Sequence, residues 1–221
     1  MTIKENHKYV TKEIGTFLTE NGFVKQGTRS WAHCTDEMIQ MVILNFSYGQ
    51  EKFDLDVVIQ PWCIPEKGVY LTLSSSLSKI DSRSEYRSWG TLDGEKIIDD
   101  INDCKAVMAK DMLPLLKSCK SCLSSLAYID ASLSCVFRVD AWDKSRTFAY
   151  ILFYKHKAEE ATQWAEKYLA LVNNYSNEDI ETDIHYLKQL LLFSKERDSG
   201  KIDELFKEII ENNRQKFKLK C

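Results

Sequence analysis

Asp54 and Asp56 offer the most direct chemistry in the sequence, because the two carboxylates lie two residues apart in a predicted strand. Successive side chains of a strand point to opposite faces, so both carboxylates share one face. Paired carboxylates could hold a hard cation or serve in acid–base chemistry. Aspartates on the outer face of an antiparallel sheet also commonly do no more than face water. Both interpretations stay open at the level of the sequence.

Arg29, Trp31 and His33 alternate along an earlier predicted strand, and their shared parity places them on one side of it. They either extend a binding face or, since Phe23 has the same parity, line the core. Trp62 ends a predicted strand, where a tryptophan can anchor a partner protein or close the hydrophobic core. The candidate binding residues are therefore Arg29, Trp31, His33, Asp54, Asp56, Gln60 and Trp62. No residue is predicted to be catalytic.

The chain contains seven cysteines, an odd number in a chain long enough to fold without disulfides, and we interpret them as reduced cytosolic thiols. Cys119 and Cys122 form a CxxC pair, a spacing found in zinc sites and in redox-active dithiols. A structural zinc needs four ligands, and the sequence has no second CxxC. The same spacing equals one helical turn, which favours packing on a buried helix face. His33 and Cys34 point to opposite faces of a strand and cannot form a nucleophile–base pair.

Signatures of common enzymes are absent from the sequence, which has no GxSxG elbow, no phosphate-binding glycine loop and no HExxH helix. These absences favour a protein without catalytic activity, cofactor or bound metal, and they leave an enzyme of unfamiliar design open. The net charge of -3 argues against a nucleic-acid partner. Residues 1–20 lack the sections of a secretory signal, and the apolar runs are too short to span a bilayer. These features predict a cytoplasmic protein without a membrane partner.

The spacing of apolar residues changes along the chain and predicts its elements. Residues 2–21 have helical spacing, with a stop signal at Asn21-Gly22. Segments rich in β-branched and aromatic residues then predict four strands at 23–34, 37–48, 52–62 and 68–76. Residues 77–94 lose all periodicity and predict a loop. Helical spacing returns at 95–126, with a kink at Pro114, and at 146–173, with a break at His156-Lys157.

The last part of the chain predicts two more helices. Ser176 or Asn177 can cap the first, Ser199-Gly200 ends it, and residues 201–218 form the second. Residues 132–139 fit either a short strand or an irregular connector. The elements together predict an α+β fold: an N-terminal helix on a four-stranded antiparallel meander, followed by a helical C-terminal half. We divide the chain into an α+β domain at 1–127 and a helical hairpin or bundle at 128–221, which could pack as one unit.

Residues 18–25, the tripeptide Arg29-Ser30-Trp31 and the strands at 41–47 and 53–58 resemble the uncharacterised family named domain of unknown function 4304. The resemblance covers about the first third of the chain: a helix ending in a Gly-Phe step, a strand with a tryptophan and two further strands. It implies a fold and no agreed activity, so it assigns no catalytic residue. Some small bacterial domains of similar architecture are immunity proteins against toxins, which is an analogy at the level of fold.

Residues 155–169 resemble the second helix of a tetratricopeptide unit, in which small residues let paired helices approach closely. Tetratricopeptide units repeat at a fixed period, and the sequence contains no second copy. The resemblance therefore implies an isolated helical hairpin within residues 146–173.

Three functional hypotheses follow from the sequence. The first is a non-enzymatic protein-interaction module with another protein as partner, of which an immunity protein is one form. The second is an enzyme of unfamiliar design, with a cleft between the sheet and the helical half lined by Asp54, Asp56 and His33. The third is a zinc-stabilised regulator that holds metal through Cys119 and Cys122. The sequence leaves the oligomeric state open.

Overall fold

The computed structural model describes residues 2–47, 49, 51–65, 73–82, 88–90, 96–130, 139–173, 175 and 178–217. Its strands are β1 (Val24–Lys25), β2 (Ser30–Cys34), β3 (Met38–Phe46), β4 (Lys52–Pro61), β5 (Leu73–Ser76) and β6 (Trp89–Gly90). Its helices are α1 (Ile3–Glu20), α2 (Leu77–Ile80), α3 (Lys96–Val107), a π-helical segment (Met108–Met112), α4 (Leu113–Ser118), α5 (Cys122–Asp130), α6 (Ala141–Tyr154), α7 (Ala158–Val172), α8 (Glu178–Glu196) and α9 (Ser199–Phe217). The predicted α+β fold is confirmed.

Helix α1 ends at the predicted stop signal, and a capping box that was not predicted fixes its start. The Thr2 hydroxyl accepts the Glu5 N–H at 3.3 Å, and the Glu5 carboxylate accepts the Thr2 N–H at 2.7 Å. This reciprocal pair satisfies two donors that a helix start leaves unpaired. Gly22 follows the helix with φ +86°, a value that side chains disfavour, and Phe23 N–H donates to Leu18 O at 3.0 Å. The inward face of α1 consists of Asn6, Val10, Ile14 and Leu18.

The antiparallel sheet has the strand order β1-β2-β3-β4-β5, and β6 pairs with the start of β4. Strands β2 to β5 form the predicted meander. The predicted first strand, 23–34, is instead the hairpin β1–β2, because residues 26–29 turn the chain and Gln26 N–H donates to Ser30 O at 3.0 Å. The predicted loop at 77–94 contains α2 and β6. Among the described residues the sheet therefore has six strands where four were expected, and residues 68–72 of the predicted fourth strand lie outside that part of the chain.

The strand register gives the sheet two different faces. Trp31 pairs with Val42, which pairs with Val57, and these side chains share the face against which α1 packs. The opposite face is partly covered by α9. On this face Ala32, Ile39 and Trp62 form a small apolar cluster. Cys34 and Met41 of the sheet and Ile210 and Phe217 of α9 pack against it. The larger hydrophobic cluster runs through both halves of the chain, from α1 to α9.

Pro114 distorts the helix that follows the sheet, as predicted. Leu113 N–H donates to Met108 O, five residues back, so the chain forms a π-helical turn just before the proline. Proline has no N–H, and its ring crowds the carbonyl four residues earlier. The wider π turn accommodates this ring within an otherwise continuous helix.

The same helix ends earlier than the predicted residue 126. Helix α4 stops at Ser118, and α5 begins at Cys122 after a break. The Ser121 hydroxyl accepts the Ser124 N–H at 3.2 Å and so caps the start of α5. Cys119 lies in this break and Cys122 begins α5, so the two do not share one helical turn as predicted, but both are buried in the core as predicted.

The helical half contains the predicted antiparallel hairpin, α6 and α7, with its break at His156. His156 has φ +57°, and Lys157 N–H donates to Leu152 O at 2.9 Å, which closes the end of α6. Helix α8 ends in the same way at Arg197, with φ +56°.

Ser199-Gly200 begins α9 and does not end α8, contrary to the prediction. Asp198 decides this boundary, because its carboxylate accepts the Lys201 N–H at 3.0 Å at the start of α9. Two expectations fall outside the described residues: the choice between strand and connector at 132–138, and the cap at Ser176 or Asn177. None of the helices in the described part of the chain has the length and apolar composition required to cross a membrane.

Candidate functional site

An open groove with a volume of about 370 Å³ lies between α1 and the β1–β2 hairpin. We call it the α1–β2 groove. Its sheet side consists of Lys25 and Trp31, which pair across β1 and β2 and therefore point to the same face. Its helix side consists of Thr11, Lys12, Gly15, Thr16, Thr19 and Glu20. The groove lies at the edge of the sheet, because β1 is the first strand in the sheet order.

Gly15 lets helix α1 approach the ring of Trp31 closely. A Cβ atom placed on Gly15 would lie 2.7 Å from Cζ2 of Trp31, a distance that carbon atoms cannot share without displacement. The same Cβ would lie 3.3 Å from the indole Nε1. The glycine therefore leaves the nitrogen edge of the indole ring uncovered by a side chain on the helix side of the groove.

The indole N–H distinguishes Trp31 from two other buried tryptophans. Trp62 donates its indole N–H to Thr35 O at 3.0 Å, and Trp89 donates to the Asp103 carboxylate at 2.9 Å. Trp31 is only 1% exposed, yet its Nε1 donates to no acceptor among the described residues. Buried indole N–H groups usually have a partner. Trp31 thus offers a hydrogen-bond donor to a molecule in the groove.

The polar rim of the groove combines hydroxyl groups with charged side chains. Thr11 donates its hydroxyl hydrogen to His7 O at 2.7 Å, and Thr19 donates to Gly15 O at 2.8 Å. Both hydroxyl oxygens can still accept a hydrogen bond. Lys12 and Lys25 are exposed, and neither forms a salt bridge with another described residue. The rim can therefore contact a ligand that carries both donors and negative charge.

His33 lies on the same sheet face as Trp31, as predicted, whereas Arg29 lies in the turn before β2, and neither lines the groove. The Arg29 guanidinium lies 4.7 Å from the ring centroid of Phe46, on which His7 also stacks. His33 Nδ1 lies 3.2 Å from Gly22 O. The two side chains therefore make local contacts towards opposite ends of α1.

Asp54 and Asp56 lie on the other face of the sheet. Asp56 pairs with Ile43, next to the Val42–Val57 pair that shares the face of Trp31, so the aspartates and His33 point in opposite directions. The three side chains do not converge, and the cleft proposed for them does not form.

Both aspartates have local hydrogen-bond partners. Asp54 accepts from Leu55 N–H at 2.7 Å and from the Ser78 hydroxyl at 3.0 Å, while Asn45 donates to Asp56 at 2.6 Å. Burial is the main cause that raises the pKa of Asp54, and the nearby Asp56 charge adds to it. In the structure the carboxylates thus join β3, β4 and α2.

Gln60 and Trp62 are buried, at 0% and 2% exposure. The Gln60 amide donates to Pro61 O at 3.0 Å, and the Trp62 ring lies 5.9 Å from that of Phe217 in an edge-to-face arrangement. Trp62 therefore closes the small cluster beneath α9. Of the seven predicted binding residues, only Trp31 lines the α1–β2 groove.

The cysteines do not form the predicted kind of pair. Cys122 Sγ lies 3.8 Å from Cys63 Sγ, whereas Cys119 is buried separately, and burial raises its pKa to about 11. No group of three or more His, Cys, Asp or Glu side chains within the described ranges is placed to hold a metal ion. Cys34 is disulfide-bonded, which corrects the expectation that all seven cysteines are reduced thiols.

A buried polar cluster around Asp183 was not predicted from the sequence. Arg146 Nε donates to the Asp183 carboxylate at 2.6 Å, and the hydroxyls of Tyr150 and Tyr168 donate to it at 3.2 and 3.3 Å. We call these four residues the Asp183 cluster. Arg146 also donates to Pro65 O. The cluster joins α6, α7 and α8 to the segment after β4, and Asp183 is only 4% exposed.

Comparison with known proteins adds no relative: no family model, no curated protein and no solved structure matches the chain.

Proposed function

We propose that this protein is a non-enzymatic protein-interaction module, and that its α1–β2 groove binds an extended, acidic segment of a partner protein. The observation that carries the proposal is the Trp31 indole N–H, a donor at the base of an open groove that no described residue satisfies. A carbonyl oxygen of the bound segment would accept this hydrogen bond. Such donors are a common device for fixing the orientation of a ligand.

The position of the groove at the sheet edge supports an extended partner. Strand β1 is two residues long and is the first strand in the sheet order. An outermost strand presents backbone N–H and C=O groups to which an extended segment can pair. Val24, 43% exposed, points away from the groove and offers an apolar contact to the other side of a segment paired along this edge.

The charges of the groove support an acidic partner. Lys12 and Lys25 lie on opposite sides of the groove, on α1 and β1, and Glu20 is the one carboxylate among the described residues that line it. A carboxylate of the partner would pair with either ammonium group at little desolvation cost, because both lysines are already exposed. Electrostatic complementarity of this kind favours rapid and selective association.

Affinity capture with matched charge reversals tests the proposal. The groove variant is Lys12→Glu with Lys25→Glu, and the control is Lys188→Glu with Lys207→Glu on the helical half, where both lysines are also exposed. The two variants change the net charge equally. We expect one protein to be captured stoichiometrically from native lysate by the wild type and by the control, and to be lost with the groove variant. Equal capture by both variants, or no partner in repeated captures with the wild type, would overturn the proposal.

The immunity-type form of the proposal makes a narrower prediction. The captured partner would be a toxin, and the wild-type protein would inhibit its activity while the groove variant would not. A toxin gene next to the gene for this protein would agree with this form. Equal inhibition of the toxin by the wild-type protein and by the groove variant would place the toxin contact outside the groove.

A further inference from the structure

Two buried thiols from distant parts of the chain meet beneath the helical half. Cys63 follows β4, and Cys122 is the first residue of α5. Their sulfur atoms lie 3.8 Å apart, and the two residues are 1% and 0% exposed. The residues are 59 positions apart in the sequence, so their contact is made by the fold and not by local chain geometry.

Hydrogen bonds fix the backbone around both thiols. The Asn213 side-chain amide donates to Trp62 O at 2.8 Å and to Ile64 O at 2.7 Å, the carbonyls on either side of Cys63. The Glu37 carboxylate accepts the Cys122 N–H at 2.8 Å, and Lys155 donates to the same carboxylate at 2.6 Å. Both cysteines are therefore held in position by contacts other than the sulfur contact itself.

We propose that Cys63 and Cys122 form a reversible disulfide, a modification site that links the end of the sheet to the start of α5. A disulfide has a bond length of about 2.05 Å, so on bond formation the two side chains rotate and the sulfur atoms approach by about 1.8 Å. Because hydrogen bonds fix the backbone around both residues, only the two side chains need to move. Cys119, the sequence neighbour in the CxxC pair, lies in the break before α5 and is not the partner.

The oxidant is a small disulfide such as oxidised glutathione. The thiolate of one cysteine attacks a glutathione sulfur, forms a mixed disulfide and releases one glutathione thiolate. The second cysteine, as thiolate, then attacks the protein sulfur of the mixed disulfide and releases the second glutathione. In total one protein disulfide forms, one glutathione disulfide is consumed, and the two thiol protons pass to the two glutathione thiolates. An excess of reduced glutathione reverses both steps.

Refolding in a glutathione redox buffer tests the proposal without requiring the reagent to enter the folded core. The reduced, denatured full chain is refolded at a series of glutathione ratios, blocked with N-ethylmaleimide and mapped by mass spectrometry. Trypsin cleaves after Lys120 and separates Cys119 from Cys122, and chymotrypsin cleaves after Tyr128 and separates Cys122 from Cys135. We expect a Cys63–Cys122 crosslink whose fraction rises with the oxidised share of the buffer, while Cys104 and Cys119 carry the blocking group.

Variants separate this crosslink from the disulfide at Cys34. In Cys63→Ser the crosslink should disappear and Cys122 should carry the blocking group. Cys63→Ala replaces this variant if the serine variant does not fold. Oxidation should raise the Tm of the wild type by at least about 4 °C more than that of the Cys63 variant, and Cys104→Ser should keep this difference. Refolded wild type in which Cys63 and Cys122 carry the blocking group at every ratio would overturn the proposal.

Discussion

The α1–β2 groove and the Asp183 cluster both place polar groups beside buried aromatic rings, but their hydrogen bonding differs. Asp183 accepts bonds from Arg146, Tyr150 and Tyr168, all within 3.3 Å. Trp31 offers a donor that no described residue accepts, next to an open surface. A polar group whose bonds are satisfied inside the protein stabilises the fold, whereas an unsatisfied one beside solvent can serve binding. The Asp183 cluster therefore stabilises the helical half, whereas the groove leaves a donor available for the proposed recognition of a partner.

Removal of the Asp183 carboxylate should have the largest effect on stability. Asp183→Ala leaves the Arg146 charge buried without its partner, and we expect the free energy of unfolding to fall by about 3–5 kcal/mol. Urea unfolding followed by circular dichroism measures this change. Asp203→Ala, at a side chain that is 64% exposed, is the matched control and should cost less than about 0.5 kcal/mol.

If Asp183→Ala does not fold, Asp183→Asn keeps the shape of the side chain and should be destabilised by a smaller amount. A loss below about 1 kcal/mol in Asp183→Ala would contradict the view that this cluster holds the helical half together.

A methyl group at Gly15 should have the next largest effect. Alanine favours helix by about 1 kcal/mol over glycine, but the new Cβ would lie 2.7 Å from the Trp31 ring, and overpacking costs about 1–3 kcal/mol. We expect Gly15→Ala to be destabilised overall, by up to about 2 kcal/mol in urea unfolding. Gly200→Ala is the control, since the atom nearest to its new Cβ, Oδ1 of Asp198, is 3.5 Å away, and it should be neutral or stabilised. If Gly15→Ala is stabilised, the Cβ at position 15 does not clash with the Trp31 ring.

Glu37 is half-buried and its carboxylate accepts hydrogen bonds from Lys155 and from Cys122 N–H. Its contribution to the free energy of unfolding should depend on pH. Burial raises its pKa, but the bonds from Lys155 and from Cys122 N–H outweigh burial and hold the pKa below the usual 4.5. Such a carboxylate stabilises the fold at neutral pH, and this stabilisation is lost as the pH falls below 4.5 and through the lowered value.

Glu37→Gln should therefore lower the free energy of unfolding by about 1 kcal/mol at neutral pH and by less under acidic conditions. Urea unfolding at both pH values measures the difference, with exposed Glu159→Gln as the control. A loss that is the same at both pH values would show that the charge of Glu37 is not the cause.

Single charges on the groove should have the smallest effects. Lys25→Glu or Lys12→Glu alone should weaken partner binding by about twofold to fivefold and leave the Tm unchanged, because exposed charge pairs contribute about 0.2–1 kcal/mol. Titration at low and high salt measures the effect, which should shrink as salt screens the charges. A loss of affinity that does not respond to salt would point to a contact other than charge pairing.

The local features of the fold could be predicted from the sequence, and the site could be predicted only in part. Strand alternation in β4 and the stop signal after α1 identify those elements, because both depend on neighbouring residues. The end of α8 was misplaced, because Arg197 adopts a positive φ without being glycine. The partners of Asp183 and of Cys122 lie far away in the sequence, so no spacing reveals them. Trp31 was among the predicted binding residues because of its parity, and Gly15 was not, although it lies one helical turn from Thr11 and Thr19.

The resonance of the Trp31 indole N–H tests the central claim most directly. In the ¹H–¹⁵N spectrum of the full chain, titration with the captured partner should shift this resonance and slow its hydrogen exchange, because an acceptor of the partner now bonds to Nε1. Trp62 and Trp89 serve as internal controls, since their indole groups already donate to Thr35 and Asp103. A partner that binds stoichiometrically while the Trp31 indole resonance keeps its position and exchange rate would contradict the assignment of recognition to the groove.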